Sequence, residues 1–443
     1  MEKIKINSDK FSTFIFQKNN NGTIHRQFEN REEFCCQIVE LASEDYSFQI
    51  LQSIIDILKN PIENEKDFLI FCLNDHEFSK GYDPESLVRS IKRVQVLEGD
   101  VLVTGLSYFC CSIPIDDNLS WVESIGSSQF IIVFKRFYQK FTDSFVIPKE
   151  SLHERIARLS QNKIVLNSFF SITRNVNNDG VEKNIDINAP KSNNPSVKAF
   201  QASDKIYNFY KHLQKLTESR YAETPPFDEI SISTYVINLQ ERTDRHLHIV
   251  NQFKEKPEFD LKIMKAHKHS IGAVGLWISI RKIIKLALEN EEDVIIICED
   301  DHEFTSDYCK MDLFRNIFDG FRQHVDYING GTSSINVVIP VSNDRYWVDS
   351  TRATQFMIIY RRFFEKILEY EFTGEVIADI IMSNLAETKM ILFPFISKQH
   401  NFGYSDVTPQ HNTYTDLVDE MFSNTERRLA QIRSAFERYK NIS

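Results

Sequence analysis

Apolar positions along this chain come in short unbroken runs separated by longer stretches of helical spacing. The strongest run, Val294-Ile295-Ile296-Ile297-Cys298, stops abruptly at Glu299-Asp300-Asp301. An unbroken β-branched run predicts a strand covered on both faces, because a strand with one wet face alternates. Just upstream, Ile280, Ile283, Ile284 and Ala287 recur at a spacing that predicts a helix with one buried side. Tyr235-Val236-Ile237-Asn238-Leu239 predicts an opening strand, Gln355 to Leu368 a strand followed by a helix, and Lys389 to Phe393 a closing strand. Strand and helix alternate, which argues for an α/β domain with a mainly parallel sheet.

The same pattern occurs earlier in the chain. Phe68 to Phe78 lines up with Val294 to Phe304 at an offset of 226 (304 − 78). Without a gap, that offset also pairs Lys59 with Lys285, Ile113-Pro114 with Ile339-Pro340, Trp121-Val122 with Trp347-Val348, Gln129-Phe130 with Gln355-Phe356, and Lys163 with Lys389. Nearer the N-terminus the offset is 221, matching Ser12-Thr13-Phe14 to Ser233-Thr234-Tyr235. Two tandem domains follow, at 1–180 and 228–443, too large and too few for a solenoid. Between them, 181–227 reads as a linker rich in Asn, Asp, Lys and Pro, then a bracing amphipathic helix from Ser203 to Glu218. A second such helix is expected from Tyr414 to Tyr439. The expected fold class is α/β, two tandem domains, each a mainly parallel sheet flanked by helices.

Composition narrows the partners. The 443 residues carry 63 Asp plus Glu against 52 Lys plus Arg, a net charge of −11, so the basic face that nucleic acid requires is not expected. Seven Cys without C-x-x-C spacing, including the adjacent pairs Cys35-Cys36 and Cys110-Cys111, read as reduced core residues of a cytoplasmic protein. Met1-Glu2-Lys3-Ile4-Lys5 lacks an apolar signal core, and no run approaches the roughly 18 apolar residues of a membrane span, which leaves only peripheral membrane contact open.

Candidate chemistry centres on the acids. In open α/β sheets ligands bind beyond the carboxyl ends of the strands, where Glu299, Asp300 and Asp301 emerge. The natural counter-charge is a hard divalent cation, itself neutralising a phosphate-bearing substrate. If strand geometry continues, Glu299 and Asp301 share a face and Asp300 points away. The first copy has Leu73-Asn74-Asp75 there, and His153 where the second has Asp379 (379 − 226). Joint loss of the triplet and a distant carboxylate suggests that they serve one function rather than a solvated strand end. His302-Glu303 occurs in both copies as His76-Glu77 and reads as structural.

Four stretches of residues 231–407 resemble glycosyltransferase family 25, the lipooligosaccharide and procollagen galactosyltransferase type. Tyr235 to Leu239 with Arg242, Asp244 and Arg245 is similar to the family's V-I-N-L-x-x-R-x-D-R start. Gly275 to Ser279 resembles its G-C-x-x-S-H helix start, Val294 to Asp301 its I-L-E-D-D strand, and Gln355 to Leu368 with Asp379 and Phe393-Pro394 its later acidic segment. Leu276 and Ile280 depart from that pattern, which has Cys and His at those places.

The resemblance implies a GT-A-like fold and an inverting, metal-dependent transfer of a hexose, galactose by family habit. The donor would be a nucleotide sugar such as a UDP-sugar, and the acceptor a glycan or another hydroxyl, as in lipopolysaccharide biosynthesis. It implies Mn²⁺ or Mg²⁺ on Asp301 with help from Asp300, and Asp379 as the base for the acceptor hydroxyl. Arg242 and Arg245 would hold the diphosphate or shape the uridine pocket, with Asn238, Gly275, Glu299 and Gly331 on the donor side. Gly331 equally suits an ordinary turn, and Tyr404, Ser405 and Asp406 lie in a loop suited to diphosphate or metal. Two other classes compete: a non-catalytic glycan- or protein-binding scaffold, and a metal-dependent phosphoester hydrolase or nucleotidyltransferase. The hydrolase lacks a second His and Asp cluster and a Gly-rich phosphate loop.

Overall fold

The computed structural model describes residues 10–18, 23–41, 46–73, 76–106, 109–126, 128–173, 195–220, 227, 230–372, 377–403 and 417–442. The chain divides into two compact units, 1–204 with 435–443, and 205–434. Each is an α/β domain built on an eight-stranded mixed sheet flanked by helices.

Unit 1 begins with β1 (Phe11–Lys18), α1 (Thr23–Arg26), β2 (Phe34–Leu41), α2 (Tyr46–Lys59) and α3 (Pro61–Asn64). It continues with β3 (Phe68–Cys72), β4 (His76–Phe78), α4 (Pro84–Val96), β5 (Val101–Val103), β6 (Ser112–Pro114) and β7 (Leu119–Val122). It closes with β8 (Phe130–Phe134), α5 (Lys135–Asp143), α6 (Leu152–Leu159), β9 (Lys163–Leu166) and β10 (Ser171–Thr173). Helix α7 (Pro195–Arg220), longer than the expected 203–218, contains the division point.

Unit 2 repeats the order. It runs through β11 (Ile232–Asn238), α8 (Thr243–Phe253), β12 (Phe259–Lys265), α9 (Gly272–Glu289), β13 (Val294–Glu299), β14 (His302–Phe304) and α10 (Lys310–Arg322). Then come β15 (Tyr327–Asn329), β16 (Val338–Pro340), β17 (Arg345–Val348), β18 (Phe356–Tyr360), α11 (Arg361–Glu369), α12 (Ala378–Leu385), β19 (Lys389–Leu392), β20 (Ser397–Gln399) and α13 (Leu417–Tyr439).

Strand order is β2-β1-β3-β8-β5-β9-β7-β6 in one sheet and β12-β11-β13-β18-β15-β19-β17-β16 in the other. Even the register repeats: Thr13 pairs with Ile70 and Thr234 with Ile296, as the two offsets require. The expectation of mainly parallel sheets needs correction. In unit 2 three pairings are parallel and four antiparallel, because β18 inserts antiparallel between β13 and β15 and the β16–β17 hairpin closes one edge. A solid apolar run reports burial on both faces but carries no information on strand direction. The edge strands β2 and β12, with their partly exposed polar residues, were not anticipated.

β13 shows why its sequence is solid. Ile295 and Ile297 pack into one cluster with Trp277, Ile280, Ile283 and Ile284 of α9 and with Phe363 of α11. Ile296 and Cys298 face the opposite cluster, with Ile249 and Phe253 of α8 and Leu313 and Phe314 of α10. With both faces dry, every position is apolar until the strand end emerges.

The cysteines also need correction. All seven are free, but only Cys72, Cys111 and Cys298 are core residues, while Cys35 and Cys309 are exposed. Cys35 sits on an edge strand and Cys309 immediately precedes α10, where no layer covers them. Among the described residues no helix is long and apolar enough to cross a membrane.

Candidate functional site

The carboxyl ends of β11 and β13 open into a cavity of about 510 Å³. Its lining includes Glu299, Asp300, Asp301 and Asp379, and also Arg242, Arg245 and Gly275, so seven residues singled out from the sequence meet there. Two do not line it. Asn238 stands behind Asp300, and Gly331 packs elsewhere: a Cβ at Gly331 would lie 2.0 Å from the Ser397 carbonyl oxygen. Gly105 has the same relation to Ser171, at 2.2 Å, so this glycine serves close strand approach in both units rather than a sugar. Tyr404, Ser405 and Asp406, like Asn74 and Asp75, lie outside the described residues.

The three acids have different surroundings. Asp300, in the turn just past β13, is buried; its Oδ2 accepts from Asn238 Nδ2 at 2.9 Å and its Oδ1 from Arg245 Nη1 at 3.0 Å. Arg245 is buried as well, with Phe402 over its guanidinium at 4.7 Å. Asp300 therefore serves as the anchor of Arg245, but its carboxylate converges with that of Asp301 on one Arg245 nitrogen instead of pointing away as strand alternation predicted, because β13 ends at Glu299 and residue 300 lies in a turn.

Asp301 lies 3.6 Å from the same Nη1 through Oδ2, while its Oδ1 is buried and has no hydrogen-bond partner among the described residues. Burial, then the charge of Asp300, raises the Asp301 carboxyl above its ordinary range. Glu299 is raised too, by burial first and by Asp301 second, and its Oε1 accepts from the Thr354 hydroxyl. Two half-buried carboxylates that repel each other, one with an orphaned oxygen, form a site that a cation would relieve.

Among the described residues no group of three or more His, Cys, Asp or Glu is arranged to hold a metal on its own. That donor set does not suit zinc or an all-protein calcium cage. It fits Mg²⁺ or Mn²⁺, which use one or two carboxylates and complete their shell with water and substrate phosphates.

A basic wall contributes residues that sequence reasoning missed. His267, Lys268, His269 and Ser270, between β12 and α9, line the cavity. Ser279 Oγ holds this loop by accepting from the His267 amide at 2.8 Å and donating to the Gly275 carbonyl at 2.7 Å. A Cβ at Gly275 would sit 2.4 Å from the His267 carbonyl oxygen, so the Gly275–Ser279 pair exists to seat the loop on α9. Ile280, next in line, is fully buried among apolar neighbours. The available signal was His-Lys-His-Ser directly before a helix, a cationic loop facing an acidic strand end.

Asp379, in the first turn of α12, accepts from the Ala353 amide at 3.2 Å through Oδ2 and from the Ile380 amide at 2.7 Å through Oδ1. Its counterpart His153 likewise meets backbone, with Nε2 2.9 Å from the Ser128 amide. Holding the turn before β8 or β18 is thus a task that both residues perform.

No protein-family model and no curated protein matches the chain. Solved structures give distant likenesses. A197 from STIV is 11% identical over 40% of this chain and 87% of that chain, with a TM-score of 0.27. Apo UDP-glucose pyrophosphorylase is 9% identical over 37% of this chain and 74% of that one, with a TM-score of 0.24. Likeness at these scores says nothing about activity.

Proposed function

We propose that unit 2 is a metal-dependent glycosyltransferase of the family 25 type, with a GT-A-like domain that transfers a hexose from a UDP-sugar to a hydroxyl of a glycan acceptor. Galactose is the hexose the sequence resemblance implies. Unit 1 is then a degenerate copy that keeps the fold without the chemistry. One observation carries this reading: a single cavity at the strand ends sets an acidic wall, with the orphaned Asp301 Oδ1, opposite a wall that carries Arg242, His267 and a Lys268 paired with Glu241.

When bound, the divalent cation neutralises the charge that develops on the diphosphate leaving group. Asp301 offers it a free oxygen, and Glu299 is the second carboxylate in reach. Arg242 attracts the diphosphate from the other side, with Lys268, which is paired with Glu241, beside it, while Arg245 lies between Asp300 and Asp301. Asp379 lies in the same cavity and takes the proton of the acceptor hydroxyl. The test is a calorimetric titration of UDP with and without Mn²⁺, paired with an assay of sugar transfer and donor hydrolysis. Binding should depend on the metal, and Asp301→Ala should abolish both binding and turnover in a folded protein. Full activity in that variant would sink the proposal.

The scaffold reading has one observation in its favour. Both Asp379 oxygens already accept backbone amides, and His153 does comparable work in unit 1, which suits a structural acid better than a base. Absence of metal-dependent UDP binding, with no turnover of any UDP-hexose, would select it.

A further inference from the structure

The turn before β18 is held in a costly conformation by a buried polar network that unit 1 does without. Ala353, a cavity-lining residue, has φ +89°, in the region that side chains other than glycine avoid. Asn329 Nδ2 donates to the Ala353 carbonyl at 3.1 Å and to Thr351 Oγ1 at 2.9 Å. Thr351 Oγ1 donates in turn to Thr332 Oγ1 at 2.9 Å, and Thr332 Oγ1 donates to the Arg352 carbonyl at 2.5 Å while accepting from the Arg352 amide at 3.1 Å. Asn329, Thr332 and Thr351 are all fully buried, and the Oδ1 of Asn329 has no partner among the described residues.

At the offset of 226 these three become Val103, Leu106 and Ile125, which belong to the apolar core of unit 1. The same sheet therefore forms with plain packing at these positions. A buried network with an unsatisfied oxygen is a burden that stability alone does not explain.

What the network holds explains it. The Ala353 amide is aimed at Asp379, and the next residue, Thr354, donates its hydroxyl to Glu299. One strained turn thus fixes carboxylates that arrive from α12 and from β13.

We propose that Asn329, Thr332 and Thr351 are positioning residues: they lock the Arg352–Ala353 turn so that it holds Asp379 and Glu299 at a fixed separation across the cavity. The inference deepens the glycosyltransferase reading and rests on it for its kinetic consequences, though not for its structural ones.

The test replaces the network with the unit 1 set in the full chain, Asn329→Val, Thr332→Leu and Thr351→Ile together, with the isosteric single Thr351→Val in case the triple does not fold. A crystal structure should show the sheet intact and the Ala353–Asp379 contact broken. In hydrolysis of a UDP-hexose with Mn²⁺, kcat should fall roughly ten- to hundredfold while KM stays within about twofold, since positioning rather than donor binding is lost. Adding Ala353→Gly should restore most of the loss, because glycine takes φ +89° without the network. An unmoved turn, an unchanged kcat or a failure of Ala353→Gly to rescue would each overturn the proposal. A wild-type protein that hydrolyses no UDP-hexose overturns the reading of the cavity instead, and the crystallographic comparison still decides whether the network holds the turn.

Discussion

Units 1 and 2 build one sheet twice, and what they share separates the needs of the fold from those of the site. Both pack a buried histidine among aromatic rings, His76 with Phe28, Phe78 and Phe130, and His302 with Phe253, Phe304 and Phe356. Both tie that histidine to a serine, at 2.8 Å to Ser171 and 2.7 Å to Ser397. Both join a tyrosine to a glutamate beside the edge strand, Tyr82 with Glu33 and Tyr308 with Glu258. Gln27 Nε2 and His248 Nε2 even meet the same carbonyl, that of His76 or His302, at 2.8 and 2.9 Å.

Other contacts set the offset in α1 and α8 at 225: Gln27 Oε1 accepts from the Phe78 amide as Gln252 Oε1 accepts from the Phe304 amide, and Phe28 and Phe253 pack on the two histidines, which places Ile24 opposite Ile249. Ile24 and Ile249 are both buried core residues. The differences collect at one end of the sheet: Glu299-Asp300 against Leu73-Asn74, and the Asn329 network against Val103, Leu106 and Ile125. A fold that stands with the apolar set does not need the polar one, so the polar set is the site.

The largest effect that could break this comparison is functional. Asp301→Ala should lower metal-dependent turnover by about a thousandfold, or ~4 kcal/mol, whereas Asp75→Ala in the first copy should leave it unchanged. A parallel loss from Asp75→Ala, seen in the same transfer assay, would make unit 1 a working partner rather than a relic.

Next in size is the buried ion pair. Arg245→Ile alone strands Asp300 as a buried unpaired charge and should destabilise the protein by about 3 kcal/mol. Adding Asp300→Asn removes the stranded charge and should recover most of that loss. Urea denaturation of the four proteins in the cycle measures the coupling. A double variant no more stable than the single would mean that an unpaired Asp300 charge is not the source of the loss.

Much of this was legible in the sequence because it rests on periodicity. The repeat, the alternation of strand and helix, and the emergence of Glu299, Asp300 and Asp301 at a strand end all follow from residue order. The division of labour among the three acids was not legible, because β13 ends at Glu299 so that alternation does not reach Asp300, and its capture by Arg245 and Asn238 depends on α8 folding back over the strand end. Strand direction was hidden because Phe356 to Tyr360 is equally apolar whichever way it runs. The basic loop at His267 and the Ala353 turn escaped notice for a different reason. Their roles come from backbone contacts, Ser279 on the His267 amide and Asn329 on the Ala353 carbonyl, which side-chain patterns do not encode.

The smallest effect tests whether the shared parts really are shared. Burial lowers both His76 and His302 to about 3 from an ordinary value near 6.5. A folded-state pKa below the unfolded one means that the fold prefers the neutral ring. Its contribution is complete above pH 6.5 and drains away as pH falls, by about 2 kcal/mol per histidine at pH 5. Unit 2 carries an opposing contribution that unit 1 lacks. Glu299 and Asp301 have raised pKa values, so their charged forms cost the metal-free fold stability near neutrality, and protonation relieves that cost as pH drops. Acidification from pH 7 to pH 5 should therefore weaken β3 more than β13. Hydrogen exchange of the slow amides in the two strands, corrected for intrinsic rates, resolves the units within one sample. Equal loss in β3 and β13 would show that the acids of unit 2 do not carry the strain their burial implies, and with it would go the main physical distinction between the two copies.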